Sequence, residues 1–350
     1  MPKNITLRKT LLLEFDSKTL STALKGFDIK DYQIKQIADW LYVKKASSFD
    51  QFTNISKDLR TALSEKFILR SMSVAKKEVS RLDGTIRYTF KTVDKKTVYA
   101  VYLPSGEKNS VCISSQIGCP IACEFCSSGR VNFERNLTRG EILEQILQIE
   151  NDTQKRVGGV LFMGMGEPML NYNNVSSAIK TIIDKRELGI GKRHITLSTA
   201  GITPAIKKLA DDNFGIRLAV SLHAADNFTR KQIIPALSQT DISEVLTAAA
   251  YYLKKTSSRL TIEYILIQGV NDAPKDAHKL SRLIRATGLT NPNVQINLIP
   301  YNPVKGSGFN PPSPENINKF KSLLKVSGII TNVREAKGAD IGAACGQLGI

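Results

Sequence analysis

Three cysteines stand within eight residues, Cys119-Pro-Ile-Ala-Cys123-Glu-Phe-Cys126. Their C-x3-C-x2-C spacing lets three thiolates wrap one soft metal centre. A four-iron cluster ordinarily takes four cysteine ligands. Three would leave one iron without a protein ligand and open to a substrate. A structural zinc site is the alternative, but it would need a fourth ligand. The nearest histidine in sequence, His194, lies far outside zinc-finger spacing. Two further cysteines, Cys112 and Cys345, stand apart from the loop. Read alone, they are either apolar fillers or reactive thiols. An odd total of five, behind an N-terminus with no signal-peptide core, argues against a disulfide framework.

Downstream lies Gly164-Met165-Gly166-Glu167-Pro168. Glycines at a strand end let backbone approach a ligand closely. Glu167 can accept a hydrogen bond from an ammonium group. Such a turn is weak evidence alone and gains weight directly after the cysteine loop. Ser198, then Ser221-Leu222-His223, then Asn297 add polar or backbone groups at later strand ends.

These residues need elements to position them. Residues 1–70 read as helices, with apolar positions at helical spacing in Asp31–Lys44 and again from Ile55 to Phe67. Residues 71–105 alternate, as strands in a hairpin do, and Pro104-Ser105-Gly106 marks a boundary. Strands and helices then take turns. The strands are Val111–Ser114, Val160–Met163, Ile195–Ser198, Ile216–Ser221, Leu260–Leu266 and Val294–Leu298, with a last one over Ile329–Arg334. Thr138 and Glu141 form a capping-box pattern. Helices are expected at Pro204–Asp211 and near 243–255 and 275–287, and one starting at Ser313-Pro314-Glu315. The fold class is therefore α/β. Residues 106–350 form a partial (β/α)6 barrel, preceded by a small helical domain (1–70) and a β-hairpin linker or extension (71–105). In such a barrel, sites gather at the C-terminal ends of the strands, where every motif above falls except Cys345.

The net charge is +17, and residues 1–105 contribute +9 of it. A polyanion is the natural partner, RNA or DNA first. No run of eighteen apolar residues suggests a membrane span, so a cytoplasmic protein is expected.

The cysteine spacing, with Phe125 before the last cysteine, is the signature of the radical S-adenosylmethionine (SAM) superfamily. The chain resembles the RlmN/Cfr radical SAM RNA methyltransferases over nearly its whole length. The resemblance rests on Val111–Cys119, the cysteine loop, Phe162–Pro168, Ile195–Gly201, Val220–Ala224, Gly269–Asp272, Ile296–Pro303 and Asp340–Leu348. It implies one 4Fe-4S cluster on Cys119, Cys123 and Cys126, with SAM chelated at the open iron. It implies SAM contacts from Gly166, Glu167, Ser198, Ser221, Leu222, His223 and Asn297. Cys345 would first accept a methyl group from one SAM. A 5′-deoxyadenosyl radical from a second SAM would take hydrogen from that methyl, and the methylene radical would add to adenine. Cys112 would then attack the Cys345 sulfur, form a transient disulfide and free the product. Adenine C2 and C8 are not nucleophiles, so ordinary methyl transfer would fail there and radical addition would not. Gly338, Gly342 and Gly346 suit a mobile loop carrying Cys345 into the site.

Within the family, RlmN-type enzymes make 2-methyladenosine in 23S rRNA and in several cases tRNA, and Cfr-type enzymes make 8-methyladenosine. Gly166-Glu167-Pro168 and the Cys345 context resemble the RlmN type. A radical SAM enzyme on another substrate is the remaining alternative. The implied partners are 23S rRNA, tRNA and an electron donor such as flavodoxin or ferredoxin, serving a monomer. One position departs from the family. Aligned on Pro104 and Cys112, the Glu proposed to take the ring proton is Tyr99 here. An ordinary phenol, with pKa near ~10, is a poor base at neutral pH. The expectation is that Tyr99 lies in the RNA pocket without being the base.

Overall fold

A computed structural model describes residues 9–106, 108–289 and 292–349. Lys3 and Arg8 of the basic N-terminal stretch lie outside the described residues. Strand β1 (Thr10–Leu11) is followed by a short helix α1 (Leu20–Ala23) and by α2 (Asp31–Ala38), which runs on as a π-helical turn over Asp39–Val43. Ser56 caps α3 (Lys57–Lys66) by accepting from the Leu59 amide, so this helix starts two residues later than its apolar pattern suggests. Strand β2 (Phe67–Ile68) closes the unit by pairing in parallel with β1.

Residues 71–105 are three antiparallel strands, β3 (Met72–Val79), β4 (Ile86–Thr92) and β5 (Thr97–Leu103). They are continuous with the core sheet, because β5 pairs with β6 (Ser110–Cys112). The short strands β7 (Gln116–Ile117) and β8 (Arg135–Asn136) bracket the cysteine loop. Helix α4 (Arg139–Thr153) starts at the expected capping box. The Glu141 amide donates to Thr138 Oγ1 at 3.2 Å, and the Thr138 amide donates back to Glu141 Oε2 at 2.9 Å. Its Ile142, Leu143, Ile146 and Ile149 are fully buried, each contributing about 1.5–3 kcal/mol by leaving water.

The alternation then continues through β9 (Gly159–Phe162), α5 (Tyr172–Ile183), β10 (Ile195–Thr199), α6 (Thr203–Asp212), β11 (Arg217–Ser221), α7 (Asn227–Ile233), α8 (Ile242–Thr256), β12 (Leu260–Leu266), α9 (Pro274–Ala286), β13 (Val294–Pro300), α10 (Pro314–Val326) and β14 (Thr331–Val333). The ten-stranded sheet has the order β14-β13-β12-β11-β10-β9-β6-β5-β4-β3. From β6 to β14 every pairing is parallel, so the six expected barrel strands stand in sequence order with β14 as a seventh at the edge. The barrel stays open. Two helices, α5 and α7, were not among the expected elements.

The N-terminal unit is docked on the barrel through a buried cation. Arg139, at the start of α4, donates to the Leu13 carbonyl, to Thr181 Oγ1 and to the Tyr42 hydroxyl. Ser17 adds its amide and hydroxyl to Glu187 Oε1, both at 2.6 Å. One continuous apolar core joins Leu12 and Phe52 of this unit to Ile142 and Val160 of the barrel. Among the described residues no helix is long and apolar enough to cross a membrane.

Candidate active site

The cysteine loop leaves β7 and packs across the C-terminal ends of the parallel strands. There a cavity of about 970 Å³, partly open to solvent, is lined by Cys119, Cys123 and Cys126, and by Gly166, Glu167, Ser198, Ser221, His223 and Cys345. Nine of the twelve residues expected from sequence thus share one cavity. Among the described residues no three His, Cys, Asp or Glu side chains converge as ligands of a single ion. In a four-iron cluster each cysteine binds its own iron, and three thiols around one cavity fit such a group. Burial pushes the Cys119 thiol up to about 12, and Cys123 is raised well above the ordinary thiol range, again by burial and then by Cys126 and Cys119. Thiols this desolvated ionise when a metal supplies the compensating charge.

The Gly164–Pro168 turn is built by close approach. Gly166 has φ +103°, and a Cβ there would stand 2.5 Å from Gln116 Cβ. A Cβ on Gly164 would meet the Ile113 carbonyl at 2.7 Å. These glycines therefore seat the turn against the segment leading into the cysteine loop. Gln116 Oε1 then accepts from the Glu167 amide at 2.7 Å. The Glu167 carboxylate accepts from the Ala200 amide at 2.7 Å and the Met169 amide at 3.0 Å. Burial nevertheless raises its pKa to about 7, so it is poised to gain a cationic partner.

His223 is held with φ +61°. Its Nδ1 accepts from the Ile265 amide at 3.0 Å, which puts the ring proton on Nε2. Burial and then Arg230 lower its pKa to about 3, so the ring stays neutral. Its edge-to-face contact with Phe125, at 4.9 Å between centroids, couples the end of β11 to the cysteine loop. Ser198 and Ser221 on adjacent strands pair their hydroxyls at 3.3 Å.

Leu222 and Asn297 lie behind the cavity wall. Leu222 is fully buried, and its carbonyl accepts from Arg230 Nε at 3.3 Å. Asn297 donates to Glu263 Oε1 at 2.8 Å, and it is Glu263 that lines the cavity. Burial raises the Glu263 pKa, with Asn297 opposing. Glu263, Arg230 and Arg334 were not singled out from sequence. A carboxylate in the apolar run Leu260–Leu266 was the available signal for the first of them.

Cys112 lines a second cavity of about 620 Å³, and Cys345 lines both. Burial pushes the Cys112 thiol up to about 12, with the Cys345 charge the next contributor. Cys345 is exposed as a residue, yet desolvation also raises its thiol pKa. The segment carrying it, expected from its glycines to suit a mobile loop, is tied by several hydrogen bonds in this conformation. Asp83 Oδ2 accepts from the Gly338 amide at 3.0 Å, and Ser80 Oγ donates to Asp340 Oδ1 at 2.7 Å. Arg87 Nη1 donates to the Gly342 carbonyl at 3.1 Å. The Ser127 amide donates to the Gly346 carbonyl at 2.7 Å, and Asn302 Nδ2 to the Cys345 carbonyl at 3.0 Å. Gly338 and Gly342 use their positive φ of 62° to turn the chain between these anchors. Tyr99 lines neither cavity. It packs beside Val101, Ala343 and Leu348, and its carbonyl accepts from Ser114 Oγ at 2.6 Å.

An open parallel barrel with a three-cysteine loop at its strand ends defines a radical SAM enzyme, and residues 113–280 match the family model of the Radical SAM superfamily. Residues 10–69 match the model of the ribosomal RNA large subunit methyltransferase N-terminal domain. The chain is 57% identical over 341 residues to a probable dual-specificity RNA methyltransferase RlmN of Endomicrobium trichonymphae, covering 97% of each. It is 43% identical over 337 residues to the protein so described from Thermotoga petrophila, covering 96% of each. The crystal structure of a radical SAM methyltransferase from Sphaerobacter thermophilus superposes with a TM-score of 0.91 at 34% identity, over 97% of this chain and 98% of that one. The chain belongs to the RlmN family of radical SAM RNA methyltransferases.

Proposed function

We propose that this enzyme methylates C2 of adenosine in 23S rRNA and in tRNA, with a 4Fe-4S cluster on Cys119, Cys123 and Cys126 and SAM in the larger cavity. The observation that carries the reading is the position of Cys345, which borders both the cavity of the cluster loop and the cavity of Cys112. The dual-specificity description of the relatives supports two classes of RNA. When bound, cluster and SAM supply a carbon radical able to abstract hydrogen from a methyl group.

The chain's own residues do the rest. Glu167 accepts from the SAM ammonium, which favours its carboxylate form. The neutral His223 donates from Nε2, and Ser198 and Ser221 offer hydroxyls. Asn297 acts through Glu263, which it orients, and Leu222 through its backbone. Cys345 carries the methyl carbon to the adenine ring. Cys112 then attacks the Cys345 sulfur. Before that attack, the adduct radical would give up one electron to the oxidised cluster and its ring hydrogen as a proton. An S–S bond then forms, the S–C bond breaks, and its electron pair stays with the carbon on adenine. That carbon takes up a proton to become the methyl group, while an external dithiol reduces the disulfide. Tyr99 stands beside this route without serving as the base. The basic surface holds RNA phosphates, and the target base is extruded into the site. A monomer in the cytoplasm, reduced by a flavodoxin or ferredoxin, completes the reading.

The test is nucleoside mass spectrometry after anaerobic reconstitution with methyl-deuterated SAM, a reductant and either a 23S rRNA fragment or tRNA. Labelled 2-methyladenosine in both RNAs is expected. Labelled 8-methyladenosine would replace the reading with Cfr-type chemistry. SAM cleavage without methyladenosine would overturn the substrate assignment.

A further inference from the structure

Helix α7 carries an arginine that its surroundings do not fully satisfy. Arg230 is 2% exposed. Its Nε donates to the Leu222 carbonyl and its Nη2 to the Ala200 carbonyl. Its Nη1 is buried with no hydrogen-bond partner. Among the described residues no carboxylate pairs with it, and Cys123 is the ionisable group whose charge acts on it. A guanidinium remains protonated when buried, so this is a full positive charge in a dry place. An uncompensated buried charge is expensive and is kept where an opposite charge answers it.

The neighbourhood shows where that charge is to be found. The Leu222 carbonyl precedes His223, whose ring packs on Phe125 between Cys123 and Cys126. The Ala200 carbonyl belongs to the residue whose amide holds Glu167. The end of α7 touches the cysteine loop directly, with the Glu124 amide donating to the Ile233 carbonyl at 3.1 Å. Arg230 is thus fixed behind the loop, tied to two strand ends and open on one nitrogen. A four-iron cluster on three thiolates has net negative charge and gains one more unit on reduction. Net charge and hydrogen bonding around a cluster are what set its potential.

We propose that Arg230 is the buried counter-charge of the cluster held by Cys119, Cys123 and Cys126, and that it raises the cluster's reduction potential. The proposal rests on the cluster assignment made above. A fixed cation favours the more negative, reduced form, so the cluster accepts its electron more readily before SAM is cleaved. Arg230 acts through the cluster and touches no substrate, which makes it a positioning and tuning residue.

Potentiometric titration of the reconstituted protein, read by the electron paramagnetic resonance of the reduced cluster, separates the outcomes. Iron and sulfide content is measured on every sample. Arg230→Gln is expected to keep the cluster but lower the reduced-to-oxidised ratio at a fixed potential about tenfold, or ~59 mV for a one-electron couple. Arg230→Lys, titrated at mildly acidic pH where the ammonium is charged, is expected to stay within about twofold of the parent. An Arg230→Gln protein with full iron and sulfide and an unmoved midpoint overturns the proposal. So does a tenfold shift in Arg230→Lys, which would assign the effect to the carbonyl ties instead of the charge. Should Arg230→Gln not fold, Arg230→Met takes its place, with the same tenfold fall expected and the same unmoved midpoint overturning the proposal. A parent protein that takes up no iron and sulfide overturns the cluster assignment itself, and the proposal with it.

Discussion

The side-chain amide of Asn302 donates to the backbone carbonyl of Cys345 at 3.0 Å. The loop after β13 is thereby tied to the backbone of Cys345, the proposed methyl carrier. Asn302→Ala removes that bond, at a stability cost of about 1 kcal/mol. We expect faster hydrogen exchange confined to residues 338–349 and RNA methylation reduced roughly tenfold, by the sensitivity of such chemistry to small misplacement. Unchanged exchange in that segment would show the bond to be idle.

The two outlying cysteines are predicted to fail differently. Cys345→Ala should abolish methyladenosine while iron, sulfide and SAM binding persist. Cys112→Ala should leave protein joined to RNA, seen as a slow band on a denaturing gel that nuclease collapses. Release of product by Cys112→Ala at the parent rate would remove Cys112 from the mechanism.

Cys112 also yields a pH prediction. Its thiol is pushed up to about 12 by burial. A raised thiol pKa depletes the thiolate at every pH below it, so at pH ~8 the reactive fraction is roughly a thousandfold below that of an ordinary thiol. In the cluster-free protein, iodoacetamide labelling of Cys112, mapped by peptide mass spectrometry, should climb about tenfold per pH unit up to the limit of folding. A plateau near pH ~9 would contradict the burial argument.

Tyr99 packs beside the strapped segment without lining either cavity. Tyr99→Phe is expected to turn over within about twofold of the parent and to accumulate no protein–RNA adduct. Accumulated adduct would make the phenol the base after all.

RNA binding should be strongly salt-dependent. With +17 net charge, and +9 of it within residues 1–105, contact with several phosphates at once is expected. Affinity measured by filter binding should fall by about 10³ between 50 and 200 mM salt, the loss for a protein making some six phosphate contacts. A flat response would count against a phosphate-led encounter.

Much of this molecule was legible before its structure. The capping box of Thr138 and Glu141, the run Leu260–Leu266 and the three loop cysteines announce themselves through local rules. Helix α7 did not, because Asn-Phe-Thr-Arg-Lys-Gln-Ile is too short and polar to show a periodic stripe. Helix α5 does carry Val175, Ala178, Ile179 and Ile182 at helical spacing, so its apolar stripe is visible in the sequence. Glu263 takes the cavity-lining place expected of Asn297 because the two stand in register on β12 and β13, a pairing that no sequence window spans. Arg230 escapes for the same reason, since its meaning lies in two carbonyls at positions 200 and 222. The glycines around Cys345 suggested freedom of movement. Their positive φ angles turn the chain between hydrogen-bonded contacts.

Strand β6 is bonded on both flanks, antiparallel to β5 and parallel to β9, with Cys112 opposite Val101 on one side and Leu161 on the other. Cys345 has no ladder on either flank and hangs from side-chain and turn bonds. The two sulfurs are therefore mounted differently, one on backbone paired on both sides and the other on a segment held by side-chain and turn hydrogen bonds. If the proposed disulfide forms, the movement it needs is expected from the segment of Cys345, which no strand pairing holds. In the proposed mechanism, bond formation between the two sulfurs would then draw on the segment of Cys345 before the strands of the barrel.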